Sequence, residues 1–199
     1  SVVGDNVDLM ADVYMGWTFE YAKRMMRLID NENLRWLEEP VIADDIDGYA
    51  DLKASCRTPI SGGEHEYTLF GFRQLLEKKA IDVVQFDTNR VGGITQAHKI
   101  SALAEAFQIP VIPHAGQVHN FHISMSSVNA PIVEYFPFWP VEIGNELFWY
   151  IFDGEPQAKN GFIELDENKH GLGIELSNKY LDNFEICLLY TSDAADDSL

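Results

Sequence analysis

The sequence predicts an α/β fold of parallel strands closed as a (β/α)8 barrel, with about six of the eight strands present. Three observations predict it. Nearly continuous apolar strands alternate with helical patterns, the alternation repeats at the length of one βα unit, and each strand ends in an ionisable residue.

The elements follow in order. VDLMADV (7–13) is an apolar run that reads as a buried strand, and Tyr21, Ala22, Met25, Leu28 and Ile29 recur at helical spacing behind Thr18 as N-cap. LRWLEEP (34–40) is a strand stopped by Pro40, and 46–54 is a short helix. TPISGGE (58–64) is the third strand, and Leu69, Phe72, Leu75 and Leu76 mark the helix after it. IDVVQFD (81–87) is Val-rich; Gly92 and Gly93 then make a tight turn into a helix carrying Ala97, Ile100, Ala104 and Phe107 on one face. That pair lacks the GxxxxGK pattern of a phosphate loop. IPVIPH (109–114) and PIVEYF (131–136) complete the series.

The strand ends decide between an open sheet and a barrel. Asp12, Glu38, Glu64, Asp87, His114 and Glu134 are separated by 26, 26, 23, 27 and 20 residues, so six consecutive strands present a carboxylate or imidazole at one rim. A barrel draws its active site from the ends of several strands at its C-terminal rim, whereas a doubly wound sheet concentrates it at one switch point.

Charge and composition narrow the function. With 14 Lys+Arg against 32 Asp+Glu among 199 residues, the net charge of −18 disfavours nucleic acid and anionic membranes. No apolar run is long enough to span a bilayer. Cys56 and Cys187 are the two cysteines, too few and too far apart for a disulfide framework, which points to a cytoplasmic setting.

Asp12, Glu38 and Glu64 form an oxygen-donor set suited to Mg²⁺ or Mn²⁺, and without a cation three converging carboxylates would repel. The competing reading, helix capping or solvation, holds for any one of them better than for three in matched register. Asp87 and His114 end adjacent strands, where the carboxylate would fix the imidazole tautomer and stabilise the imidazolium formed on proton abstraction. Glu39, next to Glu38, should point elsewhere by strand alternation. His119 and His122 at i, i+3 allow a zinc hydrolase as a different class, against two ordinary helix histidines. Phe136, Phe138, Trp139, Phe148, Trp149 and Tyr150 line a sugar site, a subunit contact or the core.

These runs carry a resemblance: LMADVYMGW around Asp12, RWLEEP around Glu38, SGGEHE around Glu64, VVQFDTNRVGGIT around Asp87, IPVIPH around His114 and NAPIVEYF around Glu134. With them, roughly residues 1–180 resemble the barrel domain of the enolase superfamily in its mandelate-racemase-like branch. GEHE and the EYF strand end are most similar to the L-rhamnonate dehydratases. The resemblance implies Asp12, Glu38 and Glu64 as Mg²⁺ ligands, His114 with Asp87 as base dyad, Glu134 hydrogen-bonded to a substrate carboxylate oxygen, and His65 beside the substrate. It implies dehydration of a small-molecule sugar acid such as L-rhamnonate to a 2-keto-3-deoxy acid, by a homo-oligomer when full length. Racemisation or epimerisation of a 2-hydroxy acid and an inactive truncated fragment are the alternatives.

By the same resemblance, residues 1–140 are a partial barrel from the third strand onward, and 141–186 return toward a capping domain absent here. CLLYTSDAADDSL (187–199) resembles a translated sequencing adapter, and the remaining chain stays strongly acidic without it. Tyr14 stands where many relatives have Asn, and His170 replaces a Pro often found before GLGIE.

Overall fold

The computed structural model describes residues 4, 6–137 and 150–178. The chain divides into two compact units, residues 1–135 and 136–199.

In the first unit, β1 (Met10–Asp12), β2 (Trp36–Glu38), β3 (Ile60–Gly62) and β4 (Val83–Val84) form one parallel sheet in the order β1-β2-β3-β4. Neighbours in the sheet are neighbours in sequence, with no reversal of order among the described residues. That is the succession of a barrel wall rather than of a doubly wound sheet. The register pairs Asp12 with Glu38 and Glu38 with Ser61, so the ionisable ends of β1 and β2 meet across the ladder. Helices α1 (Phe19–Ile29), α2 (Ile46–Ser55), α3 (Leu69–Glu77), α4 (Ile94–Ala106) and α5 (Val118–Ser126) occupy the connections.

The fifth expected strand is reduced to one parallel bridge, Val84 with Val111, although Ile112 donates to the Val84 carbonyl at 2.9 Å and His114 to that of Phe86 at 3.0 Å. Pro110 and Pro113 explain the reduction, because each removes an N–H from the ladder. The sixth, 131–136, is irregular.

Strand alternation sorts the side chains into two layers. Leu37, Ile60, Val84, Phe86 and Val111 pack with Ala22, Met26, Leu52, Phe72, Leu76, Ile100 and Ala104 of the helices. On the other face Trp36, Val83, Ile112 and Ile132 form a smaller cluster. These residues stand two positions before Glu38, Gln85, His114 and Glu134, so the second cluster is an apolar floor beneath the rim.

Helix starts are capped locally. The Asp45 carboxylate accepts from Gly48 N–H at 2.9 Å and the Thr68 hydroxyl from Gly71 N–H at 3.0 Å. Thr18 sits at the N-cap of α1 without a side-chain cap bond. The inward face of α1 is Ala22, Met26 and Ile29, while Tyr21 and Leu28, expected inside, are exposed.

The second unit pairs β5 (Phe152–Asp153) with β6 (Glu175–Leu176) antiparallel. Lys159 and Phe162 exchange backbone bonds at 2.8 and 3.0 Å across a turn. Most of the aromatic cluster, residues 141–149 of the expected C-terminal segment and the 187–199 tail lie outside the described residues. No described helix is long and apolar enough to cross a membrane.

Gly63 links β3 to Glu64 with φ +125°, and a Cβ there would lie 2.7 Å from Cε1 of the fully buried Phe72. Gly63→Ala is expected to destabilise by about 1–3 kcal/mol through backbone strain and overpacking. Urea unfolding checks this: the midpoint should fall with its slope unchanged.

Candidate active site

Residues from five strand ends converge above the apolar floor. A cavity of about 220 Å³ opens there, with Asp12, Trp36, Glu38, Gln85, Ile112 and Glu134 in its wall.

At the core of the site His114 Nδ1 lies 2.9 Å from Asp87 Oδ2. A carboxylate only accepts, so this bond places the proton on Nδ1 and leaves Nε2 as the reactive nitrogen when the ring is neutral. Asp87 is held in turn by the backbone N–H groups of Asn89 at 2.8 Å and Arg90 at 3.1 Å. Burial pushes the Asp87 carboxyl up, but the His114 and backbone bonds outweigh it and leave it below the ordinary value. Burial pulls His114 down, yet its Asp87 bond and the charges of Glu64, Glu134 and Asp87 raise it above 6.5.

Glu64 is buried between three cationic or potentially cationic groups. Arg90 Nη1 donates to its Oε1 at 3.0 Å and to its carbonyl at 2.9 Å; His114 Nε2 lies 3.3 Å from Oε2, and His65 Nε2 3.6 Å from Oε1. Arg90 also reaches Asp87, 3.6 Å from its Oδ2.

Glu38 accepts from Gln85 Nε2 at 2.9 Å and Trp36 Nε1 at 3.4 Å. Burial, opposed by the Gln85 bond and reinforced by the Asp12 charge, pushes it up to about 7. Asp12 takes the Tyr14 N–H at 2.8 Å, and the Tyr14 ring meets His65 edge-on with centroids 5.3 Å apart. Glu134 Oε2 accepts the Ala115 N–H at 2.7 Å; burial outweighs that bond and raises its carboxyl above the usual range.

Glu39 departs from expectation. The strand ends at Glu38, and a φ of +41° at Glu39 takes its side chain out of alternation. Only 1% exposed, its Oε2 lies 2.8 Å from His65 Nδ1. Burial, relieved in part by His65, raises its carboxyl, and its Oε1 has no hydrogen-bond partner. Among the described residues, Glu39, Glu64 and His65 bring metal-ligating atoms within 4.8 Å of one another, and the carboxylates of Asp12, Glu38 and Glu64 each accept from a protein donor.

His119 and His122 join no such cluster of three among the described residues. His119 is held below 6.5 by burial. The sequence pattern assigned no role to Arg90 or Gln85 and pointed Glu39 away from the site. Gln85 carried a signal, since it shares the strand face of Asp87 by alternation.

The sequence pattern of the family described as Enolase C-terminal domain-like matches residues 1–180. The chain belongs to that family. L-rhamnonate dehydratase of Saccharopolyspora erythraea is 37% identical over 179 residues, 88% of this chain and 45% of that protein. Among solved structures, L-rhamnonate dehydratase of Gibberella zeae matches with 32% identity and a TM-score of 0.81, covering 90% of this chain and 46% of that one. L-talarate/galactarate dehydratase of Salmonella typhimurium, solved with Mg and L-lyxarohydroxamate, matches at 34% identity and a TM-score of 0.81, over 90% of this chain and 44% of that one. The chain thus spans less than half the length of these relatives.

A carboxyl raised in the fold stays protonated there while the unfolded chain ionises, so metal-free stability falls as pH rises from the ordinary carboxyl range to about 7 at Glu38. Glu38→Gln should flatten this part of the profile. Thermal midpoints of both proteins between pH 4.5 and 7.5, taken in EDTA, check the difference.

Proposed function

We propose that this chain carries the proton-abstracting half of a Mg²⁺-dependent acid-sugar dehydratase acting on L-rhamnonate or a close stereochemical neighbour. The Asp87–His114 pair, 2.9 Å apart at adjacent strand ends, carries the reading. The likeness to sugar-acid dehydratases supports it.

The donor set fits a hard divalent cation. Asp12, Glu38 and Glu64 offer only oxygens, and the charges of Asp12 and Glu134, which add to burial in pushing Glu38 up to about 7, are what a cation there would relieve. When bound, Mg²⁺ supplies Lewis-acid stabilisation of negative charge developing on the substrate carboxylate.

The chain's own residues do the rest. His114 Nε2 takes the proton from the carbon beside the substrate carboxylate, and Asp87 stabilises the resulting imidazolium. Glu134, whose raised carboxyl retains a proton more readily than an exposed one, donates to the oxygen that gains charge. His65, backed by Glu39, gives a proton to the departing C3 hydroxyl, which leaves as water. The enol formed tautomerises to the 2-keto-3-deoxy acid.

The full-length protein, freed of residues 187–199, should form a 2-keto-3-deoxy acid from L-rhamnonate with Mg²⁺ and none in EDTA. His114→Asn should lower kcat on the order of 10²-fold or more while remaining folded. Deuterium entering C2 from solvent without dehydration would instead favour a racemase or epimerase. Neither reaction across a panel of six-carbon and deoxy sugar acids would refute the proposal.

A further inference from the structure

The peptide joining His114 to Ala115 carries two functions at once. On one side the His114 ring reaches Asp87, and on the other the Ala115 N–H holds Glu134 at 2.7 Å. Ala115 has φ +74°, a left-handed conformation that a residue with a Cβ adopts only under constraint. A side chain supplies that constraint. Asn120 Nδ2, in the first turn of α5, donates to the carbonyls of both His114 and Ala115 at 2.6 Å.

Asn120 is itself oriented. The Thr88 hydroxyl donates to its Oδ1 at 2.6 Å, which commits that atom as acceptor and turns the amide nitrogen toward the two carbonyls. Both residues are 2% exposed, so water does not compete for these bonds. Thr88 directly follows Asp87. The Thr88–Asn120 bond therefore ties the loop bearing the carboxylate of the dyad to the turn bearing its imidazole.

We infer that Asn120, oriented by Thr88, is a positioning residue that sets the His114–Ala115 turn and thereby aligns both the base dyad and Glu134. The inference rests on the dehydratase reading for its kinetic consequence but not for its structural one. A misplacement of about 1 Å at a reacting group can lower turnover on the order of 10²-fold.

The test uses the full-length protein with Asn120→Asp, Asn120→Ala and Thr88→Val. Asn120→Asp keeps the shape and replaces two donors by an acceptor facing two carbonyls, whereas Thr88→Val keeps volume and removes only the orienting bond. With ¹⁵N-histidine labelling, the Nδ1–H of His114 held by Asp87 gives a downfield resonance, assigned by its loss in His114→Asn. That resonance should shift or vanish in the variants. With Mg²⁺ and L-rhamnonate, kcat should fall on the order of 10²-fold in the Asn120 variants and on the order of 10-fold in Thr88→Val, with KM changed by less than about threefold.

Thermal melts separate folding from positioning, and Thr88→Val decides alone if the Asn120 variants do not fold. A folded variant that keeps both resonance and kcat overturns the inference, as does a loss of kcat with the resonance unmoved, or a wild type lacking the resonance. Should the wild type dehydrate no sugar acid, the dehydratase reading fails while the resonance still decides: its loss in the variants supports positioning by Asn120, and its persistence overturns it.

Discussion

Convergence of like charge at one rim is the constraint on which the rest of this site depends. The ends of β1 to β4 and the irregular segment 131–136 bring Asp12, Glu38, Glu64, Asp87 and Glu134 to one rim, with Glu39 beside them. Such a cluster persists in a fold only if cations or protons answer it. Arg90 answers twice, through Glu64 and Asp87. The imidazoles of His65 and His114 answer Glu39, Glu64 and Asp87. What remains, added to the larger effect of burial, appears as carboxyl groups at Glu38 and Glu134 raised above their ordinary range, and burial keeps Glu39 raised despite His65. A divalent cation is the chemically economical answer to such a remainder.

The layer below the rim is apolar and largely buried. Trp36, Val83, Ile112 and Ile132 form the floor, and alternation places Glu38, Gln85, His114 and Glu134 directly above them. An apolar floor strengthens every charged hydrogen bond over it and penalises every unpaired one. The same alternation turns Leu37, Val84, Phe86 and Val111 outward to the helices. One periodicity thus builds the stabilising core and the reactive rim together, which is why substitutions at the two layers should differ in kind, changing stability on the outer face and charge on the inner.

Much of this was legible in the chain. Apolar runs ending in ionisable residues located β1 to β4, and residue spacing put Asp87 and His114 on neighbouring strands, where the structure joins them. Legibility failed where geometry left the regular pattern. Glu39 escapes alternation because the strand stops one residue earlier and φ turns positive. The fifth strand shrinks to a bridge because Pro110 and Pro113 lack donors, and α1 turns Met26 inward beside the expected Ala22 and leaves Tyr21 and Leu28 exposed. Arg90 and Asn120 have no strand position, so their roles arise from loop geometry that periodicity does not describe.

Two histidines in the site are built alike, and the likeness bears on the chemistry. His114 Nδ1 is held by Asp87 at 2.9 Å and His65 Nδ1 by Glu39 at 2.8 Å, while their Nε2 atoms address different oxygens of Glu64 at 3.3 and 3.6 Å. Each pair fixes one tautomer, so each exposes the nitrogen able to exchange a proton with a ligand. The surroundings differ: Asp87 is stabilised as an anion by two backbone N–H groups, whereas Glu39 keeps one buried oxygen without a partner. An anionic partner stabilises an imidazolium at His114, which in the proposed reaction is the form left when it acts as base. Behind His65 stands Glu39, whose carboxyl burial raises above its ordinary range. The two imidazoles thus share one construction and differ in the carboxyl that stands behind each.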